Sequence, residues 1–145
     1  MKPSPPHPSR VERPEAIAAR RAQLIDRFTP AWQAKHLDGL MALMSDSCSF
    51  RGSVGVEPGT TFEGRAEVRR GFELFLRGGS NDQPAETDAE PPLICEDFAV
   101  TRWTTRYPQL SGPPVVVRAC DIFGFAGDRI TFKDTYRKLP GELPA

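Results

Sequence analysis

The sequence predicts an α+β domain in which three helices come first and a mostly antiparallel sheet follows. Apolar residues recur at helical spacing over the first half of the chain, whereas strand-like runs separated by turn signals fill the second half. Because the two patterns follow one another and do not alternate, we expect the helices to pack together on one face of the sheet.

Composition and charge exclude several classes of protein. The chain has 145 residues, the size of one domain, and 19 basic residues balance 19 acidic ones. A nucleic-acid binder normally needs a basic surplus, so no nucleic-acid partner is expected. No apolar run is long enough for a membrane span, and the opening MKPSPPHPSR lacks the apolar region of a secretory signal. We therefore expect a cytoplasmic protein with no membrane partner.

The domain is expected to span residues 14–139, between a flexible arm at 1–13 and a C-terminal tail at 140–145. The arm contains four prolines and no apolar periodicity. Pro14 suits the first position of a helix. We expect Pro30 to kink or split this helix.

The remaining elements follow from periodicity. A second short helix begins at His36 or Asp38, and a third spans Arg65–Leu76. Residues 78–92 form either a mobile acidic loop or a frayed edge strand. The strand-like segments are Ser47–Gly52, Leu93–Tyr107, Val115–Phe125 and Ile130–Lys138.

Asp121 is the first candidate functional residue. Alternation along its strand places it on the same face as Val117, Phe123 and Phe125. A carboxylate among apolar side chains is costly unless it is paired, hydrogen-bonded or protonated. Two interpretations stay open: a structural Asp that caps a backbone group or pairs with an arginine, or a functional carboxyl whose pKa is raised by an apolar pocket.

Asp134 is the second candidate. Alternation places it between Phe132 and Tyr136, and in a hairpin it could face the same cavity as Asp121. Two carboxyls in one apolar cavity push their pKa values apart, which suits acid/base catalysis. Alternatively, Asp134 pairs with an arginine, such as Arg102 or Arg106.

The sheet is expected to have one face toward a cavity and one toward a partner. We assign Trp103 to the cavity face of its strand, which leaves Arg102 and Arg106 on the outer face. Both faces of Val115–Phe125 are largely apolar, so a second copy of the chain is expected to cover the outer face as a homodimer.

The order of elements resembles the nuclear transport factor 2-like superfamily, which includes SnoaL-like polyketide cyclases and ketosteroid isomerases. Its opening helices and first strand are similar to LIDRFTPAWQAKHLDGLMALMSDSCSF, its loop and third helix to VGVEPGTTFEGRAEVRRGFELF, and its closing hairpin to CDIFGFAGDRITFKDTYRK. The resemblance covers residues 20–138. It implies a curved sheet around a cone-shaped pocket, with no metal and no cofactor.

The resemblance carries catalytic positions over only in part. Asp121 matches the oxyanion-hole Asp of ketosteroid isomerases, but their Tyr falls on Phe28 and their base on or near Gly52, so steroid isomerisation is not expected. Asp121 is also similar in place to the acidic residue of SnoaL-like cyclases. Asp134 resembles the base of limonene-type epoxide hydrolases, whose second acid falls near Thr104 and is missing.

Two functions therefore stay open. One is a cofactor-free enzyme in which Asp121 or Asp134 performs general acid/base chemistry on a small apolar substrate, as an isomerase, cyclase, dehydratase or epoxide hydrolase does. The other is a non-catalytic ligand-binding or dimerisation module. The aromatic residues expected to line the pocket are Phe28, Trp32, Phe72, Trp103, Phe132 and Tyr136.

Overall fold

The computed structural model describes residues 2–3, 12–77, 85–138, 141 and 143–144. The helices are α1 (Pro14–Gln33), α2 (Leu37–Leu43) and α3 (Arg65–Arg77). The strands are β1 (Met44–Arg51), β2 (Thr61–Glu63), β3 (Glu86–Ala89), β4 (Leu93–Ile94), β5 (Phe98–Tyr107), β6 (Val115–Ala126) and β7 (Arg129–Arg137). Most of the predicted arm and half of the predicted tail lie outside these residues, so the domain boundaries stay a prediction. None of the described helices has the length and apolarity that a membrane span requires.

The strands form one sheet in the order β2-β1-β7-β6-β5-β3, with β4 also paired to β5. β1 pairs with β7 in parallel, and the other pairs are antiparallel. The α+β prediction is confirmed.

A single core joins the helices to one face of the sheet. Phe28 of α1 lies 5.2 Å from Phe123 of β6, measured between ring centroids. Phe72 of α3 lies 4.9 Å from Phe50 of β1 in the same way. Edge-to-face contacts of this kind add to the free energy gained from burial. The amphipathic helices are thus held against the sheet by aromatic rings.

Three boundaries differ from the sequence prediction. α1 continues past Pro30 without a split, because Pro30 lies in its last turn and removes only the bond that its own N–H would donate. The predicted strand Leu93–Tyr107 is two strands, which turn at Cys95–Asp97 and pair with each other. In the predicted acidic segment, β3 pairs with β5 as an edge strand, and residues 78–84 lie outside the described residues.

A bulge in β7 decides which side chains face the core. Phe125 lies opposite Ile130, but its neighbour Gly124 lies opposite Phe132, so one residue of β7, Thr131, has no partner of its own. An extra residue of this kind reverses the alternation of side chains beyond it. Ile130 and Lys133 consequently both point toward the core and are 0% and 4% exposed.

The same substitution at two helical glycines should have opposite effects. A Cβ at Gly71 of α3 would lie 2.6 Å from the buried Phe62 ring and 3.0 Å from the buried Phe50 ring. A Cβ at Gly39 of α2 would meet only the side chain of His36, which is exposed and can move. We expect Gly71→Ala to lower the free energy of unfolding by about 1–2 kcal/mol. Gly39→Ala should raise it by up to about 1 kcal/mol through helix propensity.

Urea unfolding of both variants measures these changes. A stabilising Gly71→Ala would show that the rings around α3 can move aside, and would contradict close packing between Gly71 and these rings.

Candidate functional site

A cavity of about 470 Å³ lies between α1 and the inner face of β5, β6 and β7. This volume falls in the range of small-molecule sites. Aromatic side chains form much of its wall, and a cluster of polar side chains lies on the sheet side. The aromatic members are Phe28, Trp32, Phe50, Phe75, Trp103, Tyr107 and Phe123.

Asp121 is 7% exposed, and its carboxylate lies at the centre of this polar cluster. Its Oδ1 atom accepts a hydrogen bond of 2.6 Å from the Thr135 hydroxyl. Its Oδ2 atom accepts one of 2.9 Å from the Trp103 indole N–H and a longer one of 3.4 Å from the Thr101 hydroxyl. The residues of β5, β6 and β7 meet here because Asp121 lies directly between Thr101 and Thr135 in the sheet register.

Lys133 supplies the positive charge that the buried carboxylate needs. Its Nζ atom lies 3.0 Å from Asp121 Oδ1 and donates a hydrogen bond of 2.6 Å to the Thr135 hydroxyl. The ammonium group also lies 4.5 Å from the Trp32 ring centroid and 5.0 Å from that of Phe50. Aromatic faces attract a desolvated cation, so the rings and the carboxylate stabilise Lys133 together.

These contacts settle where Asp121 lies, although its catalytic role stays a prediction. Asp121 faces the cavity, as alternation indicated, but it is not an isolated carboxyl in apolar surroundings. Its partner is Lys133, a lysine from the neighbouring strand and not an arginine. The hydrogen bonds and the ammonium group all stabilise the ionised carboxylate.

The prediction that Asp134 shares this cavity is wrong. The bulge at Thr131 turns Asp134 to the outer face, where it lies opposite Ile122. Its Oδ2 atom is 3.9 Å from Arg51 Nη1 and accepts a hydrogen bond of 3.3 Å from the Tyr136 hydroxyl. The alternative partners Arg102 and Arg106 bind other acidic residues instead: Arg106 pairs with Asp88 of β3, and Arg102 pairs with Glu90, the residue after β3.

The six predicted aromatic residues divide into two groups. Phe28, Trp32 and Trp103 line the cavity. The other three do not: Phe72 is fully buried in the core, whereas Phe132 and Tyr136 lie on the outer face because of the same bulge. The Phe132 ring occupies the space beside Gly124 that a Cβ would fill, at 2.1 Å.

Sequence reasoning missed three residues of β7 that line the cavity: Lys133, Thr135 and Arg137. One signal could have found Lys133. A carboxylate assigned to a buried face requires a cation nearby, and a lysine stands on the adjacent predicted strand.

Comparison with known proteins assigns the chain to a family and agrees with the fold. Residues 25–132 match the family described as the SnoaL-like domain. The chain belongs to the SnoaL-like domain family. Among curated proteins, no sequence matches the SnoaL-like chain significantly.

Solved structures share the fold of the SnoaL-like domain at low sequence identity. An NTF2-like protein of unknown function from Mesorhizobium loti is 20% identical with a TM-score of 0.68, over 91% of this chain and 97% of that one. A proposed ketosteroid isomerase from Kribbella flavida is 8% identical with a TM-score of 0.67, over 88% and 84%. Bal32a, from a soil-derived mobile gene cassette, is 16% identical with a TM-score of 0.66, over 83% and 90%. At these identities the likeness establishes the fold alone.

Two thiols and a phenol outside the cavity of the SnoaL-like domain have shifted pKa values. Burial raises the pKa of the Cys48 thiol. Burial also raises the pKa of Cys120, and the carboxylates of Asp121 and Asp134 add to that shift. On the outer face, the Asp134 carboxylate raises the pKa of Tyr136. Because a thiolate is the reactive form, neither of these two thiols is suited to act as a nucleophile.

The buried pair should show strong energetic coupling. Lys133→Met leaves Asp121 buried without a cation, and we expect a loss of about 3 kcal/mol in the free energy of unfolding. Asp121→Asn leaves Lys133 uncompensated and should cost a similar amount. The double variant removes both charges. Its loss of unfolding free energy should therefore be about 2 kcal/mol smaller than the sum of the two single losses.

Urea unfolding of the four proteins measures this coupling. The matched control is the exposed pair Arg102–Glu90, whose N and O atoms are 2.6 Å apart and whose coupling should stay below about 1 kcal/mol. Equal coupling energies in the two pairs would contradict the burial of Asp121 and Lys133.

Proposed function

We propose that this SnoaL-like domain binds a small, largely apolar molecule in its cavity and moves a proton on it without a cofactor. One observation carries the proposal: a carboxylate and an ammonium group lie 3.0 Å apart on the wall of a cavity that seven aromatic side chains also line. The family fold, which is of a ligand-binding kind, supports the binding part.

The two groups have complementary roles in proton transfer next to a carbonyl. Asp121 takes the proton as the C–H bond breaks, and the electron pair moves onto the carbonyl oxygen. Lys133 has three N–H donors, of which Thr135 and Asp121 engage two, so one can stabilise the developing negative charge. Asp121 then returns the proton to the same or another carbon, which balances the reaction.

Trp103 and Thr135 act as positioning residues in this scheme. Each donates a hydrogen bond to a different oxygen of Asp121. Together they fix the plane of the carboxylate, so that it cannot rotate to bind Lys133 in place of these two donors. Orientation of this kind is what lets a buried base act without reorganisation.

A second candidate is a binding module that performs no chemistry. One observation favours it: Asp121 already accepts hydrogen bonds from three side chains and contacts Lys133 as well. In this candidate the carboxylate holds the cavity together and accepts no proton from the ligand. Proton exchange on a carbonyl probe separates the two candidates.

Exchange of the α-hydrogens of β-tetralone in D₂O, followed by NMR, tests the proposal without the natural substrate. We expect the protein to accelerate exchange and Asp121→Asn to reduce the acceleration by about a hundredfold, the usual contribution of a general base. Asp134→Asn is the matched control, since it removes a carboxylate from the outer face and should leave the rate unchanged.

Binding is measured in parallel by tryptophan fluorescence. The chain has two tryptophans, and both line the cavity, so their emission reports directly on whether the cavity is occupied. Quenching by β-tetralone without Asp121-dependent exchange would overturn the catalytic proposal and support the binding module. Equal loss of exchange in Asp121→Asn and Asp134→Asn would likewise contradict the assigned roles.

We also propose that a second copy of the chain covers the outer face of β5, β6 and β7. The cavity and the helices lie on the inner side of the sheet and leave this outer face uncovered. Val116 and Tyr136 on the outer face are 51% and 55% exposed. Sedimentation at the mass of a dimer supports this arrangement, and sedimentation as a monomer contradicts it.

A further inference from the structure

Arg137 is a cavity residue that the proton-transfer scheme does not use. It lies on β7 on the same face as Lys133 and Thr135, and its side chain lines the cavity. Its Nη2 atom donates a hydrogen bond of 3.3 Å to the Tyr107 hydroxyl, and its guanidinium carbon lies 5.8 Å from the Tyr107 ring centroid. Its position is therefore fixed by an aromatic neighbour and not by an acid.

The hydrogen-bonding capacity of Arg137 is largely unmet. Its Nε atom is buried and has no hydrogen-bond partner among the described residues. No carboxylate in the described part of the chain lies within ion-pair distance of its guanidinium. A buried donor without a protein partner is rare and indicates that a water molecule or a ligand group binds there.

The charge of the cavity points the same way. Among the described residues that line it, Lys35, Lys133 and Arg137 are positive and Asp121 is the one carboxylate. Asp121 is already paired with Lys133. The cavity of a chain with zero net charge thus has an excess of positive charge that its own acids do not balance.

We propose that the ligand is an amphipathic carboxylate whose acid group binds Arg137 while its apolar body fills the aromatic cavity. This inference rests on the proposed function and names its substrate class. A guanidinium presents paired N–H donors that match the two oxygens of a carboxylate. Tyr107 presents its hydroxyl beside the same guanidinium and adds a neighbouring polar contact.

The spacing along β7 sets the length of the ligand. Arg137 follows Thr135 by two residues, which corresponds to about 7 Å along a strand. Thr135 contacts Asp121 directly. The reacting carbon should therefore lie a few bonds away from the carboxylate, as in a short acyl chain or a keto acid attached to a ring.

Phenylbutyrate and its neutral amide, phenylbutyramide, form a matched pair of probes. Both have the same apolar body, and only the first has a charge. We expect the protein to bind phenylbutyrate about tenfold more tightly, measured by tryptophan quenching and calorimetry, because a charge-assisted hydrogen bond contributes that much. Equal dissociation constants for the two probes, or no binding of either, would overturn the inference.

Variants assign the preference to one side chain. Arg137→Gln should raise the dissociation constant for phenylbutyrate about tenfold and change that for the amide little. Arg137→Lys keeps the charge and should retain part of the preference. Arg118→Gln is the matched control, because Arg118 is an exposed residue of β6 opposite Thr104, on the outer face of the same sheet.

The failure of this inference is distinguishable from that of the proposed function. A carboxylate preference that survives Arg137→Gln, in a protein whose β-tetralone exchange still depends on Asp121, overturns only the role of Arg137. A preference lost in Arg137→Gln, in a protein without exchange activity, supports the carboxylate site and overturns only the proton transfer.

Discussion

The buried contact between Asp121 and Lys133 is the constraint on which the cavity depends. Taking either charge out of water alone would cost several kcal/mol, so each residue makes the burial of the other possible. The rings of Trp32 and Phe50 lie against the ammonium group, and Trp103 donates to the carboxylate. The aromatic wall therefore serves both to shape the cavity and to stabilise the charges in it.

The bulge in β7 makes this pair possible. Without the extra residue at Thr131, alternation from Ile130 would direct Asp134 inward and Lys133 outward. Two carboxylates would then face each other with no cation between them. The bulge replaces that arrangement with a carboxylate, an ammonium group and a guanidinium along one face. It also leaves Phe132 on the outer side, where Gly124 provides room for its ring.

Much of the fold followed from the sequence, because periodicity and turn residues report local structure directly. Asp121 was placed correctly since β6 alternates regularly from Val115 to Gly124. Asp134, Phe132 and Tyr136 were misplaced because alternation assumes a strand without bulges, and no residue in ITFKDTYRK marks the irregularity. Phe72 was misassigned for another reason: helical spacing identifies an apolar face but does not separate core residues from cavity residues. The partners of a buried charge come from other strands, and only the register reveals them.

A crystal structure of the protein with phenylbutyrate tests the central claim most directly, since it shows the bulge, the ion pair and the ligand at once. We predict Lys133 Nζ within hydrogen-bond distance of Asp121, Asp134 on the outer face, and the ligand carboxylate against Arg137 with its ring inside the aromatic wall. A cavity in which Asp134 replaces Lys133 beside Asp121, or a ligand bound outside it, would contradict the account.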